Sequence, residues 1–340
     1  MVRIVSMLFV LLCLACGPGS EGEMDATSAA PEPKPRFLVL QKLGNSVAFY
    51  TLDGKLTTTI PVGKNPHEMI LSEDGRLAYV TDYGARGVEE EAEGGTTVTI
   101  IDVANQKKAG VMELGEFRRP HGIDISPGRD QVFVTTENPN RLLIIDTKSL
   151  AVVRDYETNG ESSHMVTRSP DGRTAYVSNI GTRNISVIDL ETGGVELIPV
   201  GERPEGSDIT KDGKTLYVAC RESHVISVID TEKNAVVSEV ATGKGPNRVR
   251  LTPDEKLLVY SLVHDGQIGI ADAGSGEEIA TIDLDGSPVS LQLSRNGEWA
   301  LTAAQSDDAV FVVSIAERKI VQRFVTAEGA GPDPVLEIGR

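Results

Sequence analysis

Residues 164–206 read HMVTRSPDGRTAYVSNIGTRNISVIDLETGGVELIPVGERPEG. Four short runs stand out, MVTRS, TAYVSN, NISVIDL and VELIPV. They are rich in Val, Ile and Tyr and bounded by Gly, Asn, Asp and Pro, the pattern of antiparallel strands joined by tight turns. SPDG turns the chain after the first run and ETGG after the third.

The stretch is one copy of a repeat. The joint between copies has the form Gly-x-x-Pro, at Gly63–Pro66, Gly201–Pro204, Gly243–Pro246 and Gly329–Pro332. Looser versions stand at Glu116–Pro120, Gly160–Ser163 and Asp285–Pro288. From Pro66 through Pro120, Ser163, Pro204, Pro246 and Pro288 to Pro332 the spacings are 54, 43, 41, 42, 42 and 44 residues. The first turn recurs as SEDG, SPGR, SPDG, TKDG, TPDE and SRNG. Four strands in about 40–45 residues make one propeller blade. Helical repeats are excluded, because no unit carries a long apolar stripe at a 3.6-residue period.

The ends set the blade number. Three strand-like runs, FLVLQK, SVAFYTL and LTTTIPV, precede the first joint, and one, PVLEI, follows the last. Three and one complete a blade, so the expectation is an all-β, seven-bladed propeller with six continuous blades. The seventh pairs the two chain ends and so removes the open edges. The long first spacing comes from an insertion, Tyr83–Gly95, YGARGVEEEAEGG. It reads either as a solvated acidic flap or as a loop that binds a cation or partner.

The segments AYVTD, AYVSN and LYVAC, followed by IDV, IDL and IDT, resemble the YVTN-type β-propeller repeats of bacterial extracytoplasmic and surface-layer proteins. The wider group includes lactonase-like propellers and the haem d1 propeller of nitrite reductase. The resemblance covers about residues 36–338. It implies the fold and an extracytoplasmic setting, and no motif carries over a lactonase mechanism.

Composition sets limits on partners and compartment. The chain has 340 residues, 40% hydrophobic and 4% aromatic, with a formal charge of -17. That acidity disfavours general nucleic-acid binding, which needs concentrated Lys and Arg. Met1–Arg3 is a short positive region and Ile4–Ala15 a compact apolar run, the pattern of a secretion signal. Cys13-Leu14-Ala15-Cys16 resembles a bacterial lipobox, which implies cleavage after Ala15 and lipidation of Cys16. Residues 17–35 read as a flexible tether. The expected plan is therefore a signal peptide at 1–15, a lipidated tether at 16–35 and one propeller domain at 36–340. By resemblance to bacterial sorting rules, Gly17 implies an outer-membrane lipoprotein facing the periplasm or the cell surface. Cys220, alone in the domain, reads as a buried hydrophobe.

Repeated aspartates have a structural reading. Asp102, Asp146, Asp189 and Asp230 end third strands, and Asp74, Asp171, Asp212 and Asp254 lie in first turns. Such side chains accept turn N–H groups.

Strand alternation puts the joints and the loops between second and third strands on one face. All five histidines fall in such segments. His67, His121 and His164 occupy matching positions after three consecutive joints, and the ring continues as Glu205, Asn247, Val289 and Asp333. His67, His121 and His164 are candidate ligands for a transition metal. Together with Glu205, Arg221, Asn247 and Arg248 they are also candidates for binding an organic ligand, the arginines for its anionic groups. Glu68, Tyr83, Asn179 and Arg183 could line the same mouth. There is no GxSxG elbow, no nucleotide-binding fingerprint and no CxxCH haem-attachment motif.

Three roles follow from this reading. The first is an envelope-associated binding or scaffold protein that uses its top face to hold a protein, glycan or small molecule. The second is a metal-assisted hydrolase or lactonase. The third is a structural part of an envelope assembly.

Overall fold

A computed structural model describes residues 34–126, 128 and 130–339. The expected signal, Cys16 and most of the tether lie outside the described residues. Within them the chain forms seven four-stranded antiparallel sheets. Blade 1 comprises Met69–Leu71, Leu77–Asp82, Thr97–Asp102 and Lys107–Glu113. Blade 2 comprises Arg118–Ser126, Gln131–Asn138, Asn140–Asp146 and Val152–Glu157. Blades 3 to 6 follow the same order. The seventh sheet has Pro332–Glu337 at its inner edge, then Pro35–Gln41, Ser46–Thr51 and Leu56–Pro61. The fold is the expected seven-bladed propeller, closed by three N-terminal strands and one C-terminal strand.

Each of the seven apolar clusters lies between two neighbouring blades. Tyr79, Val98 and Ile100 of blade 1 pack on Val132, Val134 and Leu143 of blade 2. Tyr176, Ile185 and Val187 of blade 3 pack on Val218 and Ile229 of blade 4. Fully burying one such side chain stabilises by about 1.5–3 kcal/mol. Small wedges of Val, Ile and Leu therefore hold the ring with few aromatic rings. Cys220 is fully buried in one of them, as a small apolar side chain.

The repeated aspartates hold turns. Asp189 Oδ1 accepts from Glu191 N and Thr192 N at 2.8 Å each. Asp74 Oδ1 accepts from Ser72 Oγ at 2.7 Å and Arg76 N at 3.0 Å. These bonds to the charged form hold both carboxyls below their ordinary range.

Two local features shape the channel. The inner strand slips register just after the joint in several blades, between Pro120 and Ile123, Ser163 and Val166, and Pro204 and Ser207. Such bulges re-aim side chains, and they fall where His121, His164 and Glu205 stand. Gly122 meets the next inner strand closely. A Cβ there would lie 2.4 Å from His164 O and 2.7 Å from Met165 Cα. Only glycine lets these strands approach so far.

Candidate metal centre at the channel mouth

Two rings of side chains meet at the top of the channel. The joint residue pairs with a residue near the end of the second strand, as in Pro120↔Thr136, Ser163↔Asn179 and Pro204↔Cys220. The residue after each joint gives one ring, the expected series from His67 to Asp333. The residue that follows the joint's partner on the second strand gives another: Tyr83, Glu137, Ile180, Arg221, Val263, Gln305 and Lys42, with Glu137 inside the longer strand Gln131–Asn138. The rings touch. Arg221 donates to Glu205 at 3.1 Å, Lys42 Nζ lies 3.9 Å from Asp333 Oδ2, and the Tyr83 ring lies 5.5 Å from His67.

The three joint histidines converge. The ring centres of His121 and His164 are 3.6 Å apart and those of His67 and His121 3.9 Å, with His67 and His164 at 6.2 Å. His121 has no exposure and His164 has 5%. One donor atom each from His121, Glu137 and His164 falls within 4.8 Å of the others. An ion with bonds of about 2.1 Å spans donors up to about 4.2 Å apart, so binding requires only a small inward movement. Two imidazoles and one carboxylate suit zinc or iron(II).

The surroundings occupy the other atoms of these residues and leave donors over. Glu137 Oε2 accepts from Tyr83 Oη at 2.8 Å and lies 3.0 Å from Arg119 Nε. Its Oε1 has no partner among the described residues. His164 Nε2 lies 2.7 Å from Glu205 Oε2, and its Nδ1 has no partner among the described residues. Both nitrogens of His121 are buried without partners among them. An unpaired buried polar atom costs about 1–3 kcal/mol, so three such residues in one place point to a bound group.

Burial favours neutral imidazoles at His67 and His121. With the neighbouring charges of Lys42 and Arg248, it holds both well below the ordinary histidine range. Neutral imidazole is the form that binds metal. Burial alone would raise Glu205, but the close contact with His164 Nε2 and the Arg221 and Arg248 charges outweigh it and hold its carboxyl well below the usual range.

The opposite arc carries a second polar set. Arg248 Nη2 donates to Glu68 Oε1 at 2.6 Å, and its Nη1 lies 3.6 Å from Glu205 Oε2. Burial pushes Asp333 up to about 7, against the pull of Lys42, and burial lowers Lys42. Asn247 Nδ2 donates to Val289 O at 2.6 Å, while its Oδ1 is buried without a partner. Below these residues the channel holds a cavity of about 230 Å³ that reaches Met69, Met165, Asp208 and Arg250.

His67, His121, His164, Glu205, Arg221, Asn247 and Arg248 all stand in this mouth. The compact donor group leaves out His67 and takes Glu137 instead. Other residues named from the sequence serve elsewhere. Asn179 bonds Ser163, Asn184 and Ser186 within blade 3. Arg183 pairs with Glu202 at the exposed rim. His224 Nδ1 lies 3.0 Å from Arg221 O and accepts from Gly245 N at 3.2 Å, so it holds a loop. His264 lies 3.4 Å from Glu222. Glu137 and Lys42 were missed. The signal was available, since aligning the second strands puts both in the column of Tyr83 and Arg221.

With this geometry in hand, a family model described as a domain of unknown function, DUF5074, matches residues 124–338. The chain belongs to that family. The DUF5074 stretch contains Glu137, His164, Glu205 and Arg248, whereas Lys42, His67, the acidic insertion and His121 precede it. No curated protein sequence matches the chain. Among solved structures it is similar to Kuenenia stuttgartiensis hydrazine synthase, at 20% identity and TM-score 0.65 over 77% of this chain and 86% of that one. The dihydro-heme d1 dehydrogenase NirN in complex with DHE gives 17% identity and TM-score 0.63 over 89% of this chain and 66% of that one. A functionally unknown protein from Desulfotomaculum acetoxidans DSM 771 gives 14% identity and TM-score 0.75 over 90% and 99%. Likeness at such identities is likeness of fold.

Proposed function

We propose that this chain is a metal-dependent hydrolase of the ester or lactone class, acting at the top of the propeller channel. One observation carries the reading. Glu137 Oε1, His164 Nδ1 and the nitrogens of His121 are buried and unpartnered among the described residues, while the network around them satisfies neighbouring atoms. Glu205 beside His164 Nε2 leaves Nδ1 as the lone pair, the carboxylate–histidine arrangement common behind metal ligands. Tyr83 and Arg119 hold Glu137 through one oxygen and leave the other free.

A divalent ion on these three residues would polarise a carbonyl and lower the pKa of a water. The rest of the mouth supplies binding and proton handling. Arg221 and Arg248 are placed for anionic groups, and Asp333 beside Lys42 and His67 is placed to take or give a proton. We further place the protein outside the cytoplasm, held to a membrane by a lipid on Cys16. The resemblance to YVTN-type propellers and the lipobox-like segment support that setting.

Elemental analysis of the protein purified without chelator tests the reading first. About one zinc or iron per chain is expected, lost in His121→Ala and His164→Ala variants that remain folded, with hydrolysis of simple esters or lactones lost alongside. Metal-free wild-type protein that takes up no added zinc, iron or manganese would sink the reading. A bound metal without hydrolysis would turn it towards metal-dependent binding. The setting is tested separately: Cys16→Ala should lose both the lipid mass and membrane association.

A further inference from the structure

The acidic insertion of blade 1 lies across the mouth. Its neck is pinched: a Cβ on Gly84 would lie 2.1 Å from Gly95 N, and one on Gly95 would lie 1.7 Å from Asp82 O. Gly95 N donates to Tyr83 O at 2.9 Å, and Gly84 N donates to Lys64 O at 2.8 Å. Beyond the neck the loop leaves blade 1. At blade 2 Arg119 donates to Gly87 O at 3.0 Å and Glu90 O at 3.2 Å. At the joint before blade 4, Glu89 Oε1 takes Arg203 Nη1 at 2.9 Å. The span from blade 1 to that joint passes the arc of His121 and His164, the buried imidazoles of the donor group.

The far anchor is an anion site already filled by the protein itself. Arg203 and Arg221 each donate to Glu205 Oε1 at 3.1 Å, and Arg248 lies 3.6 Å from its other oxygen. Glu205 and Glu68 answer these guanidinium groups with two buried carboxylates. Glu222 Oε1 lies 3.9 Å from Arg221 Nε, so three guanidinium groups stand among carboxylates beside the candidate metal ligands in a chain of net charge -17. Glu89 supplies a further carboxylate from outside. Its side chain is 70% exposed, so the pair is screened by solvent and readily displaced. The same Arg119 that grips the loop also contacts Glu137, so the loop and a candidate metal ligand share one anchor.

We infer that the site takes a small carboxylate-bearing molecule, and that the insertion is a lid whose Glu89 carboxylate occupies Arg203 until that molecule displaces it. The inference rests on the metal-hydrolase reading for the chemistry that follows binding, but the anion site and lid stand on their own contacts. An anionic substrate entering an acidic protein needs guanidinium groups of this kind to receive its carboxylates. An intramolecular carboxylate keeps these groups covered when substrate is absent.

Isothermal titration with glutarate, a dicarboxylate, tests this on wild type and on Glu89→Gln, Arg203→Gln and, as a loop control, Glu91→Gln, each in metal-loaded and chelator-stripped protein. Glu89→Gln is expected to bind about two- to fivefold tighter than wild type, Arg203→Gln at least tenfold weaker than Glu89→Gln, and Glu91→Gln like wild type. Hydrogen exchange at residues 86–93 is expected to rise when glutarate binds wild type. Equal affinity in wild type and Glu89→Gln, or unchanged exchange in the loop, would overturn the inference. Inorganic phosphate is the second probe, and tighter binding of phosphate than of glutarate across the variants would overturn the carboxylate assignment. Glutarate binding that persists in protein unable to hold any metal would uphold the anion site while removing the hydrolase reading. Metal uptake with no glutarate binding in any variant would do the reverse.

Discussion

Glu205 and His164 stand side by side in the channel ring, with Oε2 2.7 Å from Nε2 and side-chain exposures of 3% and 6%. They come from consecutive blades, each placed by a bulge just past its joint. The contact fixes which imidazole nitrogen carries hydrogen and which is left for a metal. Glu205 also gathers Arg203, Arg221 and Arg248, so one carboxylate joins the candidate metal centre to the arginine cluster.

Glu205→Gln should therefore weaken metal binding without touching a ligand. Loss of an outer partner of this kind costs about 10–100-fold in metal affinity. Stability should fall as well, because the buried Arg248 loses a counter-charge and breaking such a buried pair costs about 3–5 kcal/mol. A chelator-competition titration on the folded variant, read beside its melting temperature, separates the two effects. Metal affinity equal to wild type would show that Glu205 does not orient His164.

Glu137→Gln and His67→Ala should part company. Glu137 belongs to the compact donor group and His67 does not. Gln in place of Glu137 keeps the size but removes the charged oxygen, so metal should be lost or bound at least tenfold more weakly. His67→Ala should keep near-wild-type metal content, although the His67 ring centre lies 3.9 Å from that of His121. Elemental analysis of the two variants decides it, and loss of metal from His67→Ala alone would move the site towards the arc of Asp333.

Acid should weaken the fold through its turns. Asp74, Asp146, Asp189, Asp212 and Asp254 are all held below the ordinary carboxyl range by hydrogen bonds from the turns they close. A lowered folded pKa adds stability above the unfolded value of about 3.9, and that stability is lost as pH falls through the folded values. Asp82, Asp124, Glu137, Asp208 and Asp333 oppose this: burial raises all five, so their ionisation costs stability as pH rises through their folded values. Asp102, Asp230 and Asp272 are lowered like the other turn aspartates, so the turns outnumber the opposing groups and the urea midpoint should drop between pH 5 and pH 3. Asp189→Asn should have a lower midpoint than wild type at pH 6 and a smaller drop on acidification.

Much of this architecture is legible in the chain because a blade repeats its instructions. Gly160 shows how a joint works: a Cβ there would lie 2.2 Å from Asn179 Cγ, so the joint glycine is where the end of the second strand packs. Turn aspartates and alternating Val and Ile carry the same message in each copy. The site is less legible because it breaks the repeat. The column that follows the joint's partner on the second strand runs through Tyr83, Ile180 and Val263 as well as Glu137 and Lys42, so no common residue type marks it. The insertion is visible as extra length, but nothing in YGARGVEEEAEGG says that Glu89 meets Arg203, 114 residues away. Such contacts depend on the circular order of blades, which places distant joints around one mouth.

Ring closure gives the sharpest stability test. Phe37, Leu38 and Val39 pair with Glu337, Leu336 and Val335, and the inner strand Pro332–Glu337 also buries Val335 against blade 6. Deleting the chain after Gly331 exposes the partners of Val335, Leu336 and Ile338. At about 1.5–3 kcal/mol per buried side chain, that loss approaches the whole stability of a domain, about 5–15 kcal/mol. It also leaves Pro35–Gln41 as a bare strand edge, open to pairing between chains. The truncated protein should show no cooperative thermal transition and should aggregate. Arg36→Ala removes the partly exposed ion pair with Glu337 and the guanidinium contact with the Trp299 ring, and should lower the melting temperature by a few degrees at most. A truncated chain that melts cooperatively as a monomer would mean that six blades close without the seventh. The shared blade would then be a latch on a ring that holds itself, rather than the element that completes it.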